Sequence, residues 1–413
     1  MTCHKEISPG IYHQWFVSSH ALHGVTCYDC HQAQEGDDDS FTHWGALIAT
    51  LVTPRDCGRC HRGEAEEVGS SHHAEAGQIL ESNDAYLAHI AGGTPVAVVG
   101  CESCHGTKIE IDLDAPNRLA QGSLPNSGIG RINPDGSLGS CSACHTRHGF
   151  SRAQARQPEA CGKCHLGPDH PQKEVYEESK HGIAYYTNVD RMNLDADRWV
   201  VGRDYFTAPT CATCHMSATR KQRATHDVGE RISWTLRPPV SVLNEDWKRK
   251  RADMQDVCSA CHSPAFYRGH YRQFDGLVNL YNEKFAKPAA AVMEILHRDS
   301  SLASPAAFSN DIEWIYWELW HHEGRRARHG ASMMGPDYAW WHGIYEVAQH
   351  FYFKFIPAVR GLDDPEAAAY LERMLLEDPM HNWMSRRTAD LKRDIRTGKI
   401  EKIYENFYLP EMK

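Results

Sequence analysis

Cys-x-x-Cys-His occurs seven times in this chain, beginning at Cys27, Cys57, Cys101, Cys141, Cys161, Cys211 and Cys258. Each copy offers two thiols to the vinyl groups of a haem and an adjoining imidazole to its iron, the spacing of covalent c-type attachment. The opening Met1-Thr2-Cys3-His4 is the second half of an eighth copy, lacking only a Cys just before Met1. Fourteen of the 15 cysteines fall in complete motifs and Cys3 is the fifteenth. The attachment residues are then Cys3, Cys27, Cys30, Cys57, Cys60, Cys101, Cys104, Cys141, Cys144, Cys161, Cys164, Cys211, Cys214, Cys258 and Cys261. The proximal iron ligands are His4, His31, His61, His105, His145, His165, His215 and His262. The expectation is eight haem c groups, with the first attachment site cut by the start of the chain.

Other uses of paired cysteines fit less well. Structural zinc joins two Cys-x-x-Cys knuckles but asks for no His after the second Cys. With 27 His in 413 residues, seven such histidines in seven places have a chance probability of about 10⁻⁸ against the haem spacing. A disulfide framework is a poor match too, because so short a loop staples little of a long chain.

Eight proximal ligands leave 19 further histidines. A second imidazole on an iron makes it six-coordinate and suited to electron transfer, which gives this surplus a use. The preferred distal ligands are His20, His43, His72, His148, His181, His226 and His329, with the neighbouring His73 the alternative to His72. His89, His297 and His322 stand in reserve. Seven distal ligands for eight haems leave one iron with an open position, as multi-electron chemistry requires.

These residues need elements to hold them. The motifs lie in residues 1–270, separated by stretches rich in Gly, Pro, Asp and Ser, of which Asp112–Ser140 is a long turn-rich example. Residues 271–413 carry helical periodicity over Phe274–His297 (interrupted by Pro288), Asp311–His329, Trp341–Phe355 and Pro365–Leu376. The fold class is mostly α, with a haem-packed region at 1–270 and long helices at 271–413 that supply a core, an oligomer interface and a distal ligand.

Composition agrees. A mean hydropathy of −0.57 and 41% hydrophobic residues make a modest core for this length, and haems would supply the missing apolar surface. The formal charge of −10 excludes nucleic acid as a natural partner and favours a basic redox partner. Haem attachment to Cys pairs places the protein outside the cytoplasm, in the periplasm. Residues 1–30 hold no signal peptide, which the half motif explains if leader and first Cys were lost together. The apolar runs Ile312–Trp320 and Phe351–Val359 are too short to cross a bilayer.

The run Cys141-Ser-Ala-Cys-His-Thr-Arg-His148, then Cys161-Gly-Lys-Cys-His165 and Gly167-Pro-Asp-His-Pro171, resembles the octahaem hydroxylamine oxidoreductase family. Ser179-Lys-His-Gly182, Cys211-Ala-Thr-Cys-His-Met216 and Thr225-His226 extend the likeness in the same order, from about Cys27 to Phe355. The resemblance implies a helical octahaem fold, a homotrimer, and a catalytic fourth haem, here on Cys101, Cys104 and His105. It also implies an active-site pair at Asp169 and His170. That stretch is similar to the corresponding segment of pentahaem ammonia-forming nitrite reductases. An imidazole titrating near neutrality suits proton delivery to a breaking N–O bond, and Asp169 can orient it. Oxidising members bond a Tyr of a neighbouring subunit to the catalytic haem; an ungapped comparison puts Met333 there, with Tyr338 five residues on. Members without that bond are associated with reduction.

The expectation is a periplasmic octahaem reductase of nitrite or hydroxylamine, fed by a partner cytochrome or a membrane quinol dehydrogenase. Two alternatives remain. One is oxidation of hydroxylamine or hydrazine through a Tyr–haem bond; the other is an electron conduit with every iron six-coordinate.

Overall fold

The computed structural model describes residues 2–298 and 302–407. The chain is mostly α-helical, and the strands among the described residues form two short antiparallel hairpins. It divides into two compact units whose segments alternate along the sequence. The first comprises residues 1–164, 188–231 and 252–257; the second comprises 165–187, 232–251 and 258–413.

This division departs from a single boundary near residue 270. The segment 232–251 joins the second unit through polar anchors on a C-terminal helix. Arg251 makes a buried ion pair with Asp275, 2.6 Å from Nη1 to Oδ2, and Trp234 Nε1 donates to Asp275 Oδ1 at 2.7 Å. Asn282 both accepts from Ser241 N and donates to Ser241 O, each at 2.9 Å. A buried carboxylate or amide needs such partners, and here they come from 24 to 41 residues upstream.

The first unit is built mainly of short helices, with one of 17 residues at Asn83–Val99. One-turn helices carry the haem motifs, and the hairpin β1 (Ser40–His43) and β2 (Ala46–Ala49) pairs His43 with Ala46 across a two-residue turn. A compact apolar knot in it is formed by Leu51, Ile109 and Leu119.

The second unit holds the large core. Helix α1 (Pro264–Tyr281) runs through a π-helical turn at Asn282–Ala286 into α2 (Lys287–Arg298). The expected interruption at Pro288 therefore takes the form of a widened turn just before it, which accommodates the missing N–H. Helix α3 (Asp311–Trp317) continues through a second π turn, Glu318–Gly324, into α4 (Arg325–Ser332). Phe285, Leu296, Leu319, Phe351 and Phe355 pack at its centre, and Leu371 joins them from α5 (Pro365–Glu377). Asp364 caps α5, accepting from Glu366 N and Ala367 N. Among the described residues no helix is long and apolar enough to cross a membrane.

Candidate functional site

The motif helices show how local sequence presents the attachment groups. Thr26, Thr53 and Thr210 start the helices of three motifs, and Asp29 and Asp56 reach back to the capping backbone N–H at 2.7 and 2.8 Å. The helices begun at Thr26 and Thr210 place Cys, the Cys three residues on and the following His along one face, whereas the one begun at Thr53 ends at Gly58. The fifteen cysteines are all free of disulfides.

Two imidazoles on opposite sides of one iron, each bonded at about 2 Å, hold their ring centres about 6 Å apart. In the first unit that spacing occurs between His4 and His43 (6.0 Å), His20 and His61 (6.2 Å), and His31 and His148 (6.5 Å). In the second unit it occurs between His181 and His262, at 6.0 Å. Each pair joins an expected proximal ligand to an expected distal one. Burial, then the facing imidazole, holds His20, His148 and His181 below the ordinary range, in the neutral form that iron takes. His145 is lowered by burial and then by His226.

At the adjacent His72 and His73, burial and then the His215 charge lower His73, whereas His72 is exposed, which favours the alternative, His73. The two residues lie on one turn, where neighbouring side chains point different ways, so sequence alone does not choose between them. His329 is partly buried beside His165 and His170 and is pushed down to about 3, chiefly by burial and then by Arg328. Gln172 Nε2 donates to His329 Nε2 at 3.4 Å. Of the reserves, His89 and His297 are exposed and His322 is half-buried beside His321.

Sulphur atoms from different motifs also meet. Cys57 is within hydrogen-bonding reach of Cys141, Cys161 of Cys211, and Cys104 of Cys164. These contacts bring attachment sites together in pairs, the close spacing electron transfer needs. The motif at Cys101 thereby neighbours the one at Cys161.

Residues 106–140, of which Asp112–Ser140 was expected as a turn-rich loop, form a cradle for the His105 motif. Ile129 N donates to Cys104 O and Gly130 N to His105 O, both at 2.9 Å. Gly106, with φ +81°, makes this approach possible, since a Cβ there would lie 2.5 Å from Arg131 N. A Cβ on Gly128 would lie 2.0 Å from Gly106 N.

Asp169 and His170 lie in the second unit, just ahead of the helix Gln172–Glu178. His170 Nδ1 donates to Asp169 Oδ1 at 2.5 Å. The other oxygen accepts from Arg325 Nη1 at 3.1 Å and lies 3.8 Å from His321 Nε2. Burial alone would raise the Asp169 carboxyl; the His170 hydrogen bond and the charges of His170, His321 and Arg325 outweigh it and hold it well below the usual carboxylate range. Arg325 Nη1 also lies 2.9 Å from His321 Nε2. His321 in turn stacks on Trp317 at 4.0 Å. Gln172 Oε1 and Glu174 Oε2 are buried nearby in sequence with no protein partner among the described residues.

Neither His321 nor Arg325 was singled out from sequence. The available signal was their place within the apolar stripe Asp311–His329, where a His and an Arg four residues apart interrupt a buried helical face. The ring of His170 also stands 6.1 Å from that of His165, the separation seen in the ligand pairs.

Residues 135–307 match a model described as seven times multihaem cytochrome CxxCH. A curated protein of Kuenenia stuttgartiensis, named as a probable nitrite reductase-hydroxylamine oxidoreductase fusion protein, is 28% identical over 319 residues, which are 64% of this chain. The chain spans about a third of that relative's length, 34%. Among solved structures, one named as a hypothetical multiheme protein superposes with a TM-score of 0.74 at 25% identity, covering 90% of this chain and 95% of the other. A chain of the Kuenenia stuttgartiensis reducing HAO-like protein complex superposes at 0.62 with 22% identity, covering 91% and 85%. That second likeness concerns the fold. The chain is thus mostly helical, similar over residues 135–307 to multihaem cytochromes with CxxCH motifs, and similar at 28% identity to a protein named for the redox chemistry of nitrogen compounds.

Proposed function

We propose that this multihaem cytochrome is a periplasmic octahaem oxidoreductase, commonly assembled as a homotrimer, that reduces nitrite or hydroxylamine. The resemblance assigns the substrate to the haem attached at Cys101 and Cys104 and ligated by His105, and the Asp169–His170 pair to proton delivery. A c-type haem with an open position supplies an iron that binds such a nitrogen and passes it electrons. Reduction of an N–O bond also consumes protons, and the chain's own residues must hold them.

The observation that carries this reading is the two-sided grip on Asp169. Arg325 keeps the carboxylate ionised and oriented. The carboxylate keeps a proton on His170 Nδ1, so the proton given up is the one on Nε2. After donation the ring stays hydrogen-bonded to Asp169 and is ready to be reprotonated. The test is viologen-driven consumption of nitrite and of hydroxylamine by the haem-loaded protein and its His170→Asn variant. Loss of turnover with the haem spectrum unchanged supports the reading; undiminished turnover removes His170 from it. Oxidation of hydroxylamine or hydrazine would instead call on a tyrosine bonded to the haem, with Tyr338 the nearest to the expected position.

A second reading has its own observation. The 6.1 Å between His165 and His170 matches trans ligation, and a carboxylate on the far nitrogen is a usual support for a ligating imidazole. If His170 ligates iron, the protein is an electron conduit. His170→Asn would then convert one low-spin haem to high spin.

A further inference from the structure

The turn of the β1–β2 hairpin is Trp44–Gly45, and both residues have positive φ, 49° and 82°. Two-residue turns of this kind favour Asn-Gly or Asp-Gly, because other side chains are strained there. Trp44 is moreover 89% exposed. The fold thus holds a large aromatic side chain in water in a strained conformation, with nothing in its own unit covering it. Such a residue is an anchor seeking a partner.

Its neighbours say which partner. Trp44 directly follows His43, whose ring faces His4 at ligand-pair distance. Ile7, three residues beyond His4 on the same helix, is 76% exposed. Residues 1–53 contain six acidic side chains and one basic one, Lys5, a net of −5 within a chain total of −10. Glu35, Asp37 and Asp38 lead directly into β1, while Asp39 is buried. Half the net charge therefore sits on about an eighth of the sequence, the part that carries His4 and His43.

We propose that this hairpin tip is the docking surface for a c-type cytochrome whose haem edge is rimmed with lysines. Trp44 and Ile7 form the apolar centre of the contact and Glu35, Asp37 and Asp38 its steering rim. One electron passes between the partner's haem and the haem held by His4 and His43; the ferrous centre is oxidised as the ferric one is reduced, and no bond or proton moves. The proposal rests on reading His4 and His43 as a haem pair.

The test is stopped-flow oxidation of the reduced, haem-loaded protein by ferric horse-heart cytochrome c, a lysine-rimmed probe, over a range of ionic strength. Trp44→Ala is expected to slow this reaction at least tenfold while leaving the rate with ferricyanide unchanged. Glu35→Gln with Asp38→Asn is expected to flatten the salt dependence. Rates and salt slopes within twofold of the parent for both variants would overturn the proposal. So would equal slowing with both oxidants, or a changed oligomeric state in Trp44→Ala, which would give Trp44 to a second copy of the chain. The underlying reading fails separately: His43→Met would then leave the haem spectrum unaltered.

Discussion

The guanidinium of Arg325 lies 3.1 Å from Asp169, whose other oxygen holds His170 at 2.5 Å. The chain is thereby tied across about 155 residues at the point where an imidazole is to be oriented. Such an arrangement gives His170 one orientation, with Nδ1 turned to the carboxylate.

Asp169→Asn is expected to lower turnover of nitrite or hydroxylamine by about a hundredfold, the scale of a misplaced general acid, with full haem content. Arg325→Gln should cost about tenfold and Arg325→Lys less, because a lysine restores charge without the fork. Turnover of Asp169→Asn within threefold of the parent would show that this carboxylate orients nothing of consequence.

The adjacent histidines 72 and 73 separate cleanly. His73→Ala should convert one low-spin haem to high spin in the electron paramagnetic resonance spectrum, because His73 is the one lowered by burial and then by the His215 charge. His72→Ala should leave the spectrum as it was. The reverse result would return the ligand role to His72.

The cradle at His105 makes a stability prediction. Gly106→Ala forces a Cβ against backbone at a positive φ, which should destabilise the first unit by about 2 kcal/mol or more and disturb the haem at Cys101 before the others. Gly63→Ala, where a Cβ meets nothing within 4 Å, is the control and should be neutral or mildly stabilising. Equal effects on thermal unfolding would remove the cradle from the account.

His381 supplies a pH dependence. Burial pushes it down to about 4, and Tyr352 OH donates to its Nδ1 at 2.9 Å. The unfolded chain, with a value near 6.5, binds the proton more readily. Stability from this group is therefore complete above about pH 6.5 and is lost as pH falls toward 4, by roughly 3 kcal/mol at most. His381→Gln should show a shallower fall of unfolding temperature across that window than the parent. Parallel curves would mean that His381 protonates without cost.

Much of this was legible because haem attachment is written in contiguous residues. Cys27 to His31 and its six counterparts declare themselves by spacing, and the helical stripes after residue 270 declare a packed α core. The choice of His73 over His72 was not legible, since it depends on the direction of one turn. The interleaved units were hidden because the ties of Asp275 and Asn282 to residues 234–251 are long-range. Arg325 and His321 read as ordinary members of a helix, and only the tertiary fold brings them to Asp169. The Asp112–Ser140 segment was read as a loop, because its glycines announce turns and not the backbone they approach.

The most direct test is the absorption spectrum of the haem-loaded protein, oxidised and then dithionite-reduced, before and after carbon monoxide. One minority high-spin haem that binds carbon monoxide, with no red-shifted cross-linked chromophore, is the expected result. A red-shifted chromophore would contradict the reductive assignment and point to a tyrosine bonded to the haem. Eight haems with no response to carbon monoxide would contradict any reaction at iron and leave an electron conduit.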